Sequence, residues 1–248
     1  MKAPPYPEPS GLLRGKRVLI TAAAGTGIGF ATAKRCVEEG AKVIISDRHE
    51  ARLAKAAETL GVASVPCDVT IEADVQKMFE FAGDIDVLIN NAGLGGHARL
   101  VDMEDEQWHR VLDVTLTGVM RCTRAALKQM IPQGRGAIVN NASVLGWRAQ
   151  EGQSHYAAAK AGVMALTRCS AIEAAEAGVR INAVAPSLAM HPFLSKVTPA
   201  GLLDDLQRRE AFGRAAEPWE IANVIIFLAS DQSSYLTGEV ISVSSQRA

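Results

Sequence analysis

Seven short runs of consecutive apolar residues, rich in Val and Ile, recur along the chain from Lys16 onwards, with longer segments of helical character between most of them. The runs cover residues 18–20, 43–45, 62–65, 87–89, 137–139, 181–184 and 240–243. Most are apolar on successive residues, which is the pattern of a strand whose two faces are both covered, as in a parallel sheet. The chain is therefore predicted to form a single-domain Rossmann fold, an α/β structure in which a doubly wound, seven-stranded parallel sheet has helices on both faces.

Helical segments are predicted between the strands, and their placement sets the domain limits. They cover residues 28–39, 50–60, 72–81, 105–130, 156–177 and 217–229. Repeated prolines in residues 1–14 block helix and sheet, so this stretch is expected to be a flexible N-terminal arm. The single domain is expected to span 15–248. Its least regular stretch, 187–214, follows the sixth strand at the edge where such sheets bind ligands, and is predicted to be a substrate lid.

Composition argues against several classes of partner. The 248 residues carry 26 Lys and Arg against 27 Asp and Glu, a net charge of −1, so nothing indicates binding to nucleic acid or to an anionic membrane. No run of about 18 apolar residues predicts a transmembrane helix. The four cysteines lack the spacing of a metal site or a disulfide framework, so no metal is predicted and a cytoplasmic location is expected.

A glycine-rich turn links the first predicted strand to the first predicted helix. It reads TAAAGTGIG over residues 21–29. Phosphate binding needs backbone N–H groups that point out of a tight turn near a helix N-terminus, and glycine permits the close approach. The turn could also be an ordinary strand-to-helix connection, but its place in the first β-α unit favours a dinucleotide. The candidate cofactor residues here are Thr21, Gly25, Thr26, Gly27, Ile28 and Gly29.

The second predicted strand ends in Asp47-Arg48. A carboxylate at this place can accept both hydroxyls of the adenosine ribose and repels a 2′-phosphate, so Asp47 favours NAD over NADP as the cofactor. Arg48 partly offsets this preference, since a guanidinium there can stack on adenine or meet a phosphate. Asp47 could also cap the helix that starts near His49, and the two roles are compatible.

One of the three tyrosines has a basic partner one helical turn away. Lys160 lies four residues after Tyr156, on the same face of the predicted helix. An ammonium beside a phenol favours the phenolate and lowers the pKa of the phenol, as a general acid/base acting on an alcohol–carbonyl pair requires. By itself, a Tyr–Lys pair at this spacing is common and is usually a surface pairing.

Taken together, these motifs resemble the short-chain dehydrogenase/reductase family over nearly the whole chain from about Lys16. The resemblance is carried by the glycine-rich turn, NNAG at 90–93, Ser143, YAAAK at 156–160 and RINAVAP at 180–186. It implies an oxidoreductase in which Tyr156 exchanges a proton with the substrate oxygen and Ser143 hydrogen-bonds that oxygen. Lys160 is implied to lower the pKa of the tyrosine and to hold the nicotinamide ribose. Further cofactor contacts are implied for Asp68, Val69, Asn90, Ala92, Gly93, Pro186 and Ser187.

Four features depart from the family pattern. The glycine turn is one residue longer than usual, with Ala22-Ala23 where a glycine is normal. Thr115 stands where the family has the asparagine that completes its catalytic tetrad, and a threonine hydroxyl could partly substitute for it. Ser187 replaces a glycine after Pro186, and His191 replaces a threonine that usually contacts the nicotinamide.

Two sequence features bear on the kind of substrate: the predicted lid is apolar, which suits a bulky hydrophobic substrate, and a cation follows the fifth strand. The candidate substrate residues are Arg148, His191 and Phe193. The stretches 140–183 and 210–219 resemble an actinobacterial subgroup linked to late steroid breakdown. That resemblance implies a bulky ring alcohol, a hydroxylated methyl-indanone carboxyl-CoA, as the substrate of an NAD(H)-dependent enzyme. Arg148 or Arg99 could then meet the CoA phosphates.

Two other functions are compatible with the motifs. A 3-oxoacyl-ACP or 3-oxoacyl-CoA reductase is one, although Asp47 weighs against it because biosynthetic reductases mostly use NADPH. A dinucleotide-binding sensor without turnover is the other; Thr115 and the altered glycine turn favour it, whereas the intact serine, tyrosine and lysine set disfavours it. Family members usually form dimers or tetramers through their long helices, here 105–130 and 156–177, so a homotetramer or homodimer is expected.

Overall fold

Short strands and longer helices alternate in the computed structural model of the chain, which describes residues 1–190 and 200–245. The strands are β1 (Arg17–Ile20), β2 (Lys42–Asp47), β3 (Ala63–Pro66), β4 (Val87–Asn90), β5 (Gly136–Asn141), β6 (Val179–Pro186) and β7 (Val240–Val243). Within the described residues they form one parallel sheet in the order β3-β2-β1-β4-β5-β6-β7. The order reverses between β1 and β4, where a crevice forms at the carboxyl ends of the strands. The predicted fold class is confirmed.

Helices cover both faces of the sheet, and alternate residues of each strand pack against opposite layers. The helices are α1 (Ile28–Glu38), α2 (Glu50–Leu60), α3 (Glu72–Ala82), α4 (Asp105–Leu112), α5 (Gly118–Gln133), α6 (Ser154–Ala175), α7 (Ala200–Arg209) and α8 (Pro218–Ala229). Val18 and Ile20 of β1 belong to a buried cluster with α1, α2 and α8, whereas Leu19 belongs to a second cluster with α3, α5 and α6. Both faces of the strand are therefore buried, which explains its run of consecutive apolar residues.

The helix predicted over 105–130 is interrupted at its centre, so that prediction is wrong there. Residues Asp113–Thr117 form a π-helical turn between α4 and α5. Such single turns are frequent at functional sites, because they shift the side chains that follow. Thr115 lies within this turn and is fully buried. A second difference is α7, a helix inside the stretch that was expected to be the least regular.

The N-terminal segment 1–14, expected to be a flexible arm, contacts the end of α1. The buried carboxylate of Glu39 accepts the backbone N–H of Leu12 at 2.9 Å and Nη2 of Arg35 at 2.6 Å. Leu13 is fully buried and joins the cluster beneath α1 and α8. The core therefore extends into the predicted arm, while the flexibility of the remaining arm residues stays a prediction.

Candidate active site

A cleft of about 710 Å³ opens at the carboxyl ends of the strands, where the strand order reverses. This volume is typical of a small-molecule site. Among the predicted cofactor residues, those that line the cleft are Gly25, Thr26, Gly27, Asp47, Arg48, Asp68, Val69, Ala92 and Gly93. Residues that line it without having been predicted include Phe30, Arg52, Lys55, Thr59, Cys67, Leu94 and Val114. Most of these lie outside the family motifs, so only the packing of the elements identifies them.

The glycine-rich turn places backbone N–H groups at the N-terminus of α1 despite its altered sequence. Ala22 takes the left-handed conformation, with φ of 53°, at the place where the family has a glycine. A Cβ at Gly29 would overlap the Asn91 side chain and the Ala22 carbonyl oxygen, so this position admits only glycine. Gly27 caps the N-terminus of α1 without a side-chain hydrogen bond, which leaves the first N–H groups of the helix available to an anion.

The Asp47 carboxylate lies at the end of β2 and borders the cleft. Its Oδ2 accepts the N–H of Ala24 at 3.3 Å, and its Oδ1 accepts the N–H of His49 at 3.0 Å. The cap of α2 is His49 itself, whose Nδ1 accepts the N–H of Arg52. Asp47 is therefore not the helix cap, and its carboxylate links the end of β2 to the glycine turn.

Two predicted cofactor residues lie behind the wall of the cleft. Thr21 is buried, and its hydroxyl accepts the N–H groups of Asn91 and Ala92 at 3.0 and 3.1 Å. Asn90 is buried as well, and its amide donates to Asn140 of β5 at 2.9 Å. Thr21 therefore holds the segment after β4 in place, whereas Asn90 ties β4 to β5. Neither side chain has exposed surface to offer a ligand.

The catalytic candidates Ser143, Tyr156 and Lys160 meet where β5 ends and α6 begins. Ser143 precedes a short 3₁₀ turn, and Tyr156 and Lys160 share one face of the first turns of α6. Lys160 is buried; its Nζ lies 5.5 Å from the centre of the Tyr156 ring and donates to the carbonyl oxygen of Asn141 at 2.5 Å. The structure therefore brings together the three residues that the motif joined, and adds Asn141 as the partner of the lysine.

Burial governs the pKa values of the two titratable groups of this set. Burial raises the pKa of the Tyr156 phenol to about 12, and a hydrogen bond with Ser143 acts in the opposite direction. Burial lowers the pKa of the Lys160 ammonium to about 8. Desolvation is the larger effect on the phenol, and the lowering of its pKa by Lys160 stays a prediction.

Thr115 stands in place of the tetrad asparagine. Its hydroxyl forms two hydrogen bonds with the segment after β4. The hydroxyl accepts the N–H of Leu94 at 2.9 Å and donates to the Leu94 carbonyl oxygen at 3.1 Å. Leu94 lines the cleft directly after Gly93. The structure thus shows Thr115 as a clamp on the cleft wall, made possible by the π-helical turn that turns its side chain towards Leu94.

A glycine-rich loop after β4 borders the candidate tyrosine Tyr156 and is not among the predicted site features. A Cβ at Gly95 would lie 4.0 Å from Cδ2 of the Tyr156 ring. The loop is fastened to the start of α6, since Gln153 donates to the Gly96 carbonyl oxygen at 2.6 Å. The sequence signal was available in the two consecutive glycines that follow NNAG. Gly95 therefore brings only backbone next to the tyrosine ring.

The candidate substrate residues and the end of β6 are only partly described. His191 and Phe193 lie outside the described residues. Arg148 follows the 3₁₀ turn after Ser143, and its Nη1 is buried without a hydrogen-bond partner. Pro186 ends β6, and the Ser187 hydroxyl donates to the carboxylate of Glu210 at 3.2 Å.

Two negative findings hold for residues 1–190 and 200–245. No group of three or more His, Cys, Asp or Glu side chains there is placed to hold a metal ion. No helix in the same part of the chain has the length and hydropathy to cross a membrane.

The known proteins that this chain resembles in sequence are reductases, in agreement with the geometry of the site. A family model described as Enoyl-(Acyl carrier protein) reductase matches residues 22–245. The chain is 64% identical over 248 residues to a Mycobacterium tuberculosis protein named (5R,7aS)-5-hydroxy-7a-methyl-1-oxo-2,3,5,6,7,7a-hexahydro-1H-indene-carboxyl-CoA reductase, covering 95% of this chain and 94% of that one. It is 43% identical over 240 residues to the Thermotoga maritima 3-oxoacyl-(acyl-carrier-protein) reductase FabG, covering 93% and 97%.

A solved structure is similar to this chain over its whole length. A short chain dehydrogenase from Mycobacterium smegmatis is 59% identical, with a TM-score of 0.87, and the match covers 100% of this chain and 99% of that one. The agreement extends over the dinucleotide cleft and over the elements that carry the serine, tyrosine and lysine. The chain belongs to the short-chain dehydrogenase/reductase family of oxidoreductases.

Proposed function

We propose that this oxidoreductase uses NAD(H) to interconvert a ring alcohol and its ketone on a bulky, steroid-derived substrate that is linked to CoA. The observation that carries the reaction class is the convergence of Ser143, Tyr156 and Lys160 beside the cleft. The 64% identical relative, named as a reductase of a methyl-oxo-indene-carboxyl-CoA, supports the substrate class.

The residues of the set divide the proton chemistry between them. A bound nicotinamide dinucleotide supplies or accepts the hydride. Tyr156 is protonated at neutral pH, because burial raises its pKa to about 12, so it is ready to donate a proton to a carbonyl oxygen during reduction. The hydroxyl of Ser143 hydrogen-bonds the same oxygen and stabilises the charge that develops there. Lys160 keeps its ammonium next to both, held by Asn141.

The preference for NAD rests on Asp47. Its carboxylate borders the cleft at the end of β2, where it can accept hydroxyls of an adenosine ribose and repels a 2′-phosphate. Three cations, Arg48, Arg52 and Lys55, line the same part of the cleft and weaken this repulsion. We therefore propose NAD as the preferred cofactor, with NADP as the poorer one.

Arg148 is the residue that we assign to the CoA group. Its buried Nη1 has no hydrogen-bond partner, and an unpaired guanidinium nitrogen favours an anionic group such as a phosphate. Arg99 is a weaker candidate, because it is exposed and lies 3.9 Å from Glu151. His191 and Phe193 complete the proposed substrate contacts, and 187–214 the proposed lid, on the sequence pattern alone.

A second candidate function is the reduction of a 3-oxoacyl thioester. The 43% identical relative from Thermotoga maritima favours it, and the serine, tyrosine and lysine would serve it in the same roles. Asp47 weighs against it through the cofactor, since such reductases mostly use NADPH. A sensor without turnover has no comparable support.

The assembly that we propose is a homotetramer or homodimer in the cytoplasm. An outer hollow of about 490 Å³ between α5 and α6 is lined by Leu127, Ile131 and Leu166, and Ile172 of α6 is 79% exposed. Apolar surface of this kind favours burial against another copy.

The four cysteines are free, as expected in a reducing compartment. Light scattering tests the assembly, and a monomer would contradict it.

The experiment that tests the proposed function is a comparison of substrates and cofactors in one assay. Purified protein is mixed with NAD or NADP and with a hydroxy-methyl-indanone carboxyl-CoA, other cyclic alcohols or 3-hydroxyacyl-CoA esters, and formation of reduced nicotinamide is followed. NAD-linked turnover of the CoA-linked ring alcohol is expected. NADP-linked turnover confined to 3-hydroxyacyl-CoA esters would establish the second candidate, and cofactor binding without any turnover would contradict both.

A further inference from the structure

The two ends of the segment that follows β6 lie next to each other. Ala189 and Ala216 form a parallel bridge outside the main sheet. The N–H of Met190 donates to the Ala216 carbonyl oxygen at 2.9 Å, and the N–H of Ala216 donates to the Leu188 carbonyl oxygen at 2.8 Å. The two feet of this segment, 187–190 and 210–216, are thus joined side by side at the end of the sheet.

A buried carboxylate lies at this junction and has no part in the chemistry above. Glu210 is 5% exposed. Its Oε2 accepts the hydroxyl of Ser187 at 3.2 Å and the hydroxyl of Ser245 at 2.9 Å. In the described part of the chain no basic side chain forms an ion pair with it, so hydroxyl donors compensate for the burial of the carboxylate. One acidic group therefore joins the segment after β6 to the residues that follow β7.

The position of Ser187 connects this junction to the catalytic set. The N–H of Ser187 donates to the Val243 carbonyl oxygen of β7 at 3.2 Å, and the N–H of Ala142 donates to the Val184 carbonyl oxygen of β6 at 2.8 Å. Ala142 is the neighbour of Ser143. The chain that leaves β6 at Pro186 therefore starts from the same edge of the sheet as the catalytic serine, and Ser187 is a hydroxyl-bearing residue where the family has glycine.

We propose that Glu210 is a positioning residue that fixes Ser187, and with it the end of β6, at the nicotinamide side of the active site. The proposal rests on the proposed function in that Ser187 is there a cofactor contact. It also gives a reason for the departure from glycine at this position: glycine has no side chain that could donate to the carboxylate. Because the Ser187 hydrogen is given to Glu210, the hydroxyl can face the cofactor only as an acceptor.

Three variants remove, one at a time, the carboxylate of Glu210 and the two hydroxyls that donate to it. Glu210→Leu removes the acceptor of both serines, Ser187→Gly removes one donor and restores the family residue, and Ser245→Ala removes the other donor. Glu210→Gln keeps an acceptor oxygen and serves as the conservative variant. Glu80→Leu is the matched control, since Glu80 is an exposed glutamate of α3 away from the site.

The first readout is amide hydrogen exchange of the cofactor-free protein. In Glu210→Leu, the amides of Met190 and Ala216 are expected to exchange at least about tenfold faster, because local opening of the two feet becomes easier. Ser187→Gly and Ser245→Ala are expected to give smaller increases, and Glu210→Gln to stay within about threefold of the parent. Unchanged exchange in Glu210→Leu, or an equal increase in Glu80→Leu, would overturn the proposal.

The second readout is binding of the reduced cofactor. Glu210→Leu is expected to raise the Kd for NADH about fivefold, and the double variant is expected to bind NADH no more weakly than Ser187→Gly alone, since Glu210 acts on the cofactor through Ser187. Additive losses would overturn the proposal. Neither readout needs a substrate, so absence of turnover with the ring alcohol would contradict the proposed function and leave the test of Glu210 intact.

Discussion

The ammonium of Lys160 donates a 2.5 Å hydrogen bond to the carbonyl oxygen of Asn141, the last residue of β5. This bond ties α6 to the end of the strand that leads into Ser143, so the serine, the tyrosine and the lysine are held by one local arrangement. The buried ammonium lies 5.5 Å from the centre of the Tyr156 ring. The set is therefore pre-organised by elements of the rigid sheet layer and not by loops alone.

Removing the phenol is expected to abolish proton transfer and leave cofactor binding intact. Tyr156→Phe keeps the ring that packs beside Gly95 and deletes the hydroxyl. We expect kcat to fall by about 10²–10⁴-fold, the range for loss of a general acid. The Kd for NADH, measured by nicotinamide fluorescence, should change by less than about threefold, because the lost hydroxyl is not a predicted cofactor contact. A variant that keeps more than a tenth of the activity would contradict the role of Tyr156.

The buried lysine makes a pH-dependent contribution to stability. Burial lowers its pKa from 10.5 to about 8, so between these values the unfolded chain binds more protons and stability rises with pH. In Lys160→Met this rise is absent. Relative to the variant, the free energy of unfolding of the parent protein should increase by about 2 kcal/mol between pH 8 and pH 10, as measured in urea. A constant difference across that range would show that the ammonium is not desolvated.

Thr115 is expected to act through the segment after β4. Thr115→Val keeps the shape of the side chain and removes both hydrogen bonds with Leu94, which destabilises the protein by about 1–3 kcal/mol and lowers kcat through displacement of the cleft wall. Thr115→Asn can bond both backbone groups again and should recover most of the activity. If Thr115→Val matches the parent in kcat and in stability, the clamp has no role.

Asp47 is expected to set the cofactor preference. Asp47→Ser should raise the KM for NAD about tenfold and lower the KM for NADP, since a ribose acceptor and a repelling charge are lost together. Arg48→Ala is the matched variant, and it should raise the KM for NADP more than the KM for NAD. An unchanged ratio of the two kcat/KM values in Asp47→Ser would locate the discrimination elsewhere in the cleft.

Arg148 is expected to matter only for substrates that carry CoA. Arg148→Ala should raise the KM for a CoA ester about tenfold, with kcat little changed, because a charged contact made equally in ground and transition states is removed. The same variant should leave the KM for a CoA-free ring alcohol unaltered. Arg99→Ala provides the comparison, and a CoA ester KM that is unchanged in Arg148→Ala would refute the assignment.

The sheet and the catalytic set were predictable because both depend on short-range patterns. Consecutive apolar residues such as 87–89 identify strands buried on two faces, and the spacing of Tyr156 and Lys160 places them on one helix face. The turn at Ala22 was correctly singled out as unusual. Its left-handed backbone is not predicted by the sequence, and its carbonyl oxygen accepts the side-chain amide of Asn91, 69 residues later in the chain.

What escaped prediction depends on contacts between distant parts of the chain. Thr21 and Asn90 belong to the motif, yet their side chains face inward, which only the packing of β4 against β1 and β5 decides. The bond of Thr115 to Leu94 spans 21 residues of chain, so no local pattern predicts it. Glu210 carries no motif, and its partner Ser187 is 23 residues away.

The most direct test of the central claim is hydride transfer to the ketone of a methyl-indanone carboxyl-CoA, followed by loss of reduced nicotinamide absorbance with NADH and with NADPH. The parent protein is predicted to oxidise NADH in the presence of this ketone and to do so less efficiently with NADPH, while Tyr156→Phe binds NADH but does not react. Reduction of 3-oxoacyl thioesters alone, with NADPH as the better cofactor, would contradict the proposed substrate and the role of Asp47.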